Sequence, residues 1–187
     1  NLRKNFGYAA LSQIYHELGI HTFLINRQRH SKEQYDSNTI MKMLVYSRLL
    51  FPASKKSSYD SRERFFENTD YSLDDVYRCL SFLDKHRENL QIWMNDRIKK
   101  NYGRDTSLIY YDVTNYYFET DEQNDFLRKG VCKEHRPNPI VQMGLFMDNK
   151  GIPITYELFP GNTNDCLTYR PNLGRIKKQF DLGRVIT

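Results

Sequence analysis

The apolar positions change period once along the chain. Over residues 6–18, Leu11, Ile14, Tyr15 and Leu18 recur at three- and four-residue spacing, the mark of one face of a helix, and Gly19 is placed to stop it. Ser37 to Leu50 repeats the pattern with Ile40, Met43, Leu44 and Leu50, bounded by Pro52. SKKSSYDSRERFF predicts a polar turn and then a short helix. Ser72-Leu-Asp-Asp75 reads as a capping box opening a helix to about Lys85, with Val76, Leu80 and Leu83 as its stripe. Leu90, Trp93, Met94 and Ile98 continue helically towards Lys99.

After Tyr102-Gly103 the period shortens to two. Residues 107–118 predict a strand, Ile140–Met147 a second, Asp148-Asn149-Lys150-Gly151 a tight turn, and Ile152–Phe159 its return strand, with Pro153 near the start. Pro160 to Asp165 is rich in turn formers. A helix over 168–180 follows, with Pro171 in its first turn, Leu173 and Ile176 inward and Arg175, Lys177 and Lys178 outward. Gly183 to Thr187 begins a further strand. The order predicts an α+β chain: a helical region over 1–104, divisible near residue 52, and a mixed sheet over 105–187. A hairpin, then a crossover helix feeding a parallel strand, describes the first half of a ribonuclease H-like fold.

Composition narrows the function classes. At 187 residues, 39% hydrophobic and 27% charged, the chain suits a globular protein with a real core. It has no apolar run long enough to span a bilayer and no apolar signal-peptide core, so the sequence reads as intracellular. Cys79, Cys132 and Cys166 show no CxxC spacing, and the five histidines no HxH or HExxH, which disfavours disulfide frameworks and zinc sites. GxxxxGK[ST], GxGxxG and GxSxG are absent. The net charge of +5 is concentrated at one end: residues 1–60 carry nine Lys/Arg against four Asp/Glu, residues 105–187 ten against eleven. That asymmetry fits either a nucleic-acid partner or a solvated basic face.

Within SLIYYDVTNYYFE (107–119), strand geometry puts Tyr110, Asp112, Thr114, Tyr116 and Phe118 on one face, and Tyr111, Val113, Asn115, Tyr117 and Glu119 on the other. A lone carboxylate in so apolar a strand needs an explanation, because burying it unpaired costs several kcal/mol. Three readings fit: a structural ion pair, a strand less buried than its composition suggests, or a ligand for Mg²⁺ shared with substrate phosphates. Residues 133–139, KEHRPNP, fit either a phosphate cradle or a solvated turn.

These segments together resemble a known family. YYDVTNYYFE, then LRKGVCKEHRPNPIVQMGLFMDNKGIPITYELFPGNTND and RVIT, with IMKMLVYSRLLFPASK and SLDDVYRCLSFL upstream, are similar to transposases of bacterial insertion sequences with a DDE triad, in the IS4-like group. The resemblance implies metal-dependent DNA cleavage and strand transfer at element ends, a ribonuclease H-like core, Mg²⁺ or Mn²⁺ as cofactor, double-stranded DNA as partner, a homodimer, and a bacterial cytoplasmic, nucleoid-associated setting. It makes Asp112, in Asp112-Val113-Thr114, the first catalytic Asp and a metal ligand. It gives Arg48, Lys55 and Lys56 to DNA phosphates and places His135, Arg136 and Asn162 near the catalytic strand as further DNA-binding residues. The second Asp of the family lies after the strand at 184–187 and the Glu further on, so the resemblance implies an N-terminal part that is inactive alone. The rival expectation is a non-catalytic DNA-binding protein in which Asp112 is structural.

Overall fold

The structure is a computed structural model, and it describes residues 4–130, 138–164, 168 and 173–186. It is α+β and divides into two compact units, Asn1–Asn101 and Tyr102–Thr187.

The first unit is helical: α1 (Tyr8–Glu17), α2 (Ile20–Gln28), α3 (Ser37–Leu50), α4 (Lys55–Asp60), a 3-10 turn (Arg62–Arg64), α5 (Leu73–Lys85) and α6 (Arg87–Tyr102). Gly19 does stop α1, but it also starts α2, a helix not anticipated from the sequence. Its left-handed backbone (φ 64°) redirects the chain within one residue, and a side chain there would press on the Trp93 ring. Ile20, Phe23 and Leu24 of α2 then pack with Tyr15 and Phe82, and Trp93 donates from Nε1 to the Leu18 carbonyl at 3.0 Å. A second core joins α3 to α5 through Tyr35, Ile40, Met43, Tyr71, Val76 and Cys79.

Two local signals set the helix starts. Asp36 caps α3 by accepting from the backbone N–H groups of Asn38 and Thr39. The Ser72/Asp75 box is present, with Asp75 N–H bonded to Ser72 Oγ at 3.1 Å and Ser72 N–H to Asp75 Oδ2 at 2.8 Å. The segment after Pro52 reverses the predicted order of turn and helix. Ser54 accepts from Ser57 N–H and starts α4 at once, and the 3-10 turn comes afterwards.

The second unit is a four-stranded sheet, β1 (Leu108–Tyr117), β2 (Ile140–Met147), β3 (Pro153–Pro160) and β4 (Arg184–Ile186), in the order β3-β2-β1-β4. β1 runs antiparallel to β2 and parallel to β4, and β2 antiparallel to β3. The chain passes from β3 at one edge to β4 at the other through α7 (Leu173–Phe180). The start of the predicted 168–180 helix, including Pro171, falls mostly outside the described residues.

The two sheet faces differ. On one, Ile109, Tyr111, Ile140, Gln142 and Phe146 are buried, and the Tyr111 and Phe146 rings lie 4.7 Å apart. Gly144 on β2 makes this face possible: an added Cβ would fall 2.2 Å from the Tyr111 hydroxyl, which donates to Thr168 Oγ1 at 2.8 Å. α7 lies on this side, with Ile176 and Phe180 buried and Arg175 ion-paired to Glu157 of β3. The hairpin turn is held by Asp148, whose Oδ1 accepts from the N–H groups of Lys150 and Ile152, each at 2.9 Å, while its Oδ2 lies 3.8 Å from Nε of the fully buried Arg104 side chain. Burial pulls the Arg104 pKa down and Asp148 opposes that shift. No helix among the described residues is long and apolar enough to cross a membrane.

Candidate functional site

The opposite face of the sheet is open. Strand alternation aims Tyr110, Asp112, Thr114 and Tyr116 of β1 at it. Register places Met147, Leu145, Met143 and Val141 of β2 directly beside them, and Tyr156 and Leu158 of β3 beyond. Tyr110, Tyr116 and Leu158 are 41%, 47% and 36% exposed, values that identify a solvent-facing apolar surface rather than a core. Tyr116 Oη lies 3.7 Å from Met143 Sδ, which ties the two strands together on this face.

Asp112 sits at the middle of that surface, on an interior strand, opposite Leu145. It is exposed, and among the described residues it has neither a hydrogen bond nor an ion pair. Of the three readings of this carboxylate, a structural ion pair with a described residue is therefore removed, and the strand is less buried on this face than its composition suggests, which by itself accommodates the charge. What remains is an exposed charge with apolar neighbours on β2 and a hydroxyl two residues on, at Thr114. Such a carboxylate is free to meet a cation arriving from solution.

The other predicted site residues are distributed. Arg48 lies near the end of α3, and Lys55 and Lys56 open α4; all three are exposed, and Lys56 is ion-paired with Asp60 at 3.0 Å. These belong to the helical unit. Asn162 is exposed in the loop after β3, where the Gly161 and Gly130 backbones are in contact. The β2–β3 register puts that loop beyond the Val141–Pro160 pair, roughly 13 Å along the strands from the level of Asp112, so the sheet does not bring Asn162 to the carboxylate. His135 and Arg136 lie outside the described residues.

Among the described residues no group of three or more His, Cys, Asp or Glu is placed to hold an ion. A lone carboxylate such as Asp112 does not build a metal centre by itself.

Comparison with known proteins adds little. No family description and no curated protein matches the chain. Among solved structures the chain is similar to a pre-cleavage Mos1 transpososome, at 14% identity and a TM-score of 0.28 over 81% of this chain and 48% of that one. A Mos1 transposase paired-end complex with the left transposon end scores 0.27, and a Mos1 mariner paired-end complex with Mn 0.25, each at 14% identity and 81% of this chain. The chain spans about half the length of the chains it matches.

The sequence alone did not reveal two features. One is the apolar surround of Asp112 contributed by β2 and β3, which only the register supplies. The other is a hydroxyl-lined cleft between α3 and α4 in the helical unit.

Proposed function

We propose that this chain is part of a DDE transposase of the insertion-sequence type, in which the helical unit binds DNA and Asp112 contributes the first carboxylate of a metal-dependent phosphoryl-transfer centre within a ribonuclease H-like sheet. The observation that supports this most is the placement of Asp112: a solvent-open carboxylate at mid-strand on an interior strand, within the Asp-x-Thr setting and free to take a cation. The Asp112-Val113-Thr114 setting and the longer text from 127 to 165 are where the sequence resembles that family. Mg²⁺ or Mn²⁺ is the cofactor of this reading, and a hard cation of this kind is commonly held by one or two carboxylates together with substrate phosphates. The remaining carboxylates would have to be supplied from outside the described residues. A homodimer on paired element ends belongs to the same reading.

The test is strand cleavage at element ends in a preparation that supplies the further carboxylates. Asp112→Asn abolishes cleavage and leaves duplex affinity unchanged; cleavage at the normal rate by that variant refutes the assignment. A second reading, a DNA-binding protein without catalysis, is favoured by the lack of a multi-carboxylate cluster among the described residues. It predicts that divalent ions leave DNA binding and the surroundings of Asp112 untouched.

A further inference from the structure

The helical unit contains a cleft of about 240 Å³ between the end of α3 and α4. Ser47, Ser57, Ser58 and Ser61 line it together with Arg64 and Phe51. Among the described residues none of the four hydroxyls and no nitrogen of the Arg64 side chain has a hydrogen-bond or ion-pair partner. The Arg64 guanidinium lies 5.1 Å from the Phe51 ring centroid, so an aromatic face positions it without neutralising it. No carboxylate lines the cleft. Hydroxyls without described partners, two of them on the buried Ser47 and Ser58, one guanidinium without a described ion pair and no competing acid match a phosphate group, whose several acceptor oxygens can use them.

We infer that this cleft seats a backbone phosphate of duplex DNA, with Arg64 as its principal contact. The inference rests on the proposed DNA-binding role and adds the residues that carry it. A polyanion is favoured over a free phosphate because the elements that build the cleft also present Arg48 and Lys55 to solvent, neither with a described ion-pair partner. Cations spread along a surface suit successive phosphates of one strand, and contacts of this kind position the duplex without reading its sequence.

The experiment is fluorescence anisotropy of a labelled random-sequence duplex titrated with the full chain, repeated across about 50 to 200 mM salt. Arg64→Ala is expected to weaken binding roughly tenfold or more and to reduce the slope of log affinity against log salt by about one, the signature of one lost phosphate contact. Arg64→Lys keeps the charge and keeps the slope. Ser57→Asp, which puts a carboxylate into the cleft, weakens binding at least as much. Both positions are exposed, and an acid in the first turn of α4 favours that helix, so loss of fold does not imitate the result. If Arg64→Ala and Ser57→Asp bind with wild-type affinity and slope, the cleft assignment is overturned while the DNA-binding role stands. If the wild-type chain binds no duplex at the lowest salt, the DNA-binding role fails with it. If it then binds inorganic phosphate in a manner lost in Arg64→Ala, the cleft is a small-anion site and the backbone assignment is overturned.

Discussion

Replacing Asp112 with valine should make the sheet more stable. Asp is among the residues least suited to a strand interior and Val among the best, on a scale that spans about 1 kcal/mol. Asp112 stands opposite Leu145, and an apolar cross-strand pair contributes roughly 0.2–1 kcal/mol beyond the propensity term. Against this gain nothing described is lost, because the carboxylate is exposed and makes no described hydrogen bond or ion pair. The net expectation is stabilisation by about 1 kcal/mol. For a unit of this size that corresponds to a rise of about 4–8 °C in its own transition. Urea unfolding followed by circular dichroism, with a thermal scan as a second probe, measures it directly. A destabilisation of similar size would show that the carboxylate supports the fold, and would refute the view that the strand has no structural use for a charge there.

Three further outcomes test the fold that carries the site. Asp148→Ala leaves the buried Arg104 side chain without its ion partner, with only the Pro153 carbonyl at 3.0 Å still accepting from it among the described residues, and removes the acceptor for two turn N–H groups; a loss of about 3–5 kcal/mol is expected in denaturant titrations, and a change under 1 kcal/mol would show that Arg104 finds water. Ser72, by hydrogen bonding, holds the Asp75 carboxyl below its usual pKa, so the capping box contributes fully above the unfolded-state value near 4 and fades as pH falls through the lower folded value. Asp75→Asn should flatten that acid limb of the stability profile, and an unchanged limb would contradict the linkage. Burial pushes the Cys79 thiol up to about 12, so in the native protein it should resist alkylation at pH 8 and react once the helices open, read by peptide mass mapping.

Much of this architecture could be read from spacing alone, because each element has a local cause. The capping box opens α5 and the β1 alternation assigns its faces correctly, since both are decided within a few residues. The face that would be covered was not legible. Tyr111 and Tyr117 look no more inward than Tyr110 and Tyr116, and only Ile176 and Phe180 of α7, some sixty residues later, decide between them. α2 is masked in the sequence by Gly19, a helix-stopping residue, although Ile20, Phe23 and Leu24 carry helical spacing immediately after it. The Arg104–Asp148 pair joins residues with no shared local pattern. The cleft is likewise built from hydroxyls on α3, α4 and the residue after it, and no short window of sequence contains them all.

The central claim is that Asp112 meets a divalent cation in company with DNA phosphates. The most direct measurement is the broadening of backbone amide resonances by substoichiometric Mn²⁺ in the presence of a short duplex, for the wild-type protein and for Asp112→Asn, in the preparation that supplies the further carboxylates. The claim predicts broadening centred on Asp112 and on its neighbours Thr114 and Leu145, absent from the variant while duplex affinity is unchanged. Broadening confined to other acidic positions, or identical in the two proteins, would contradict it.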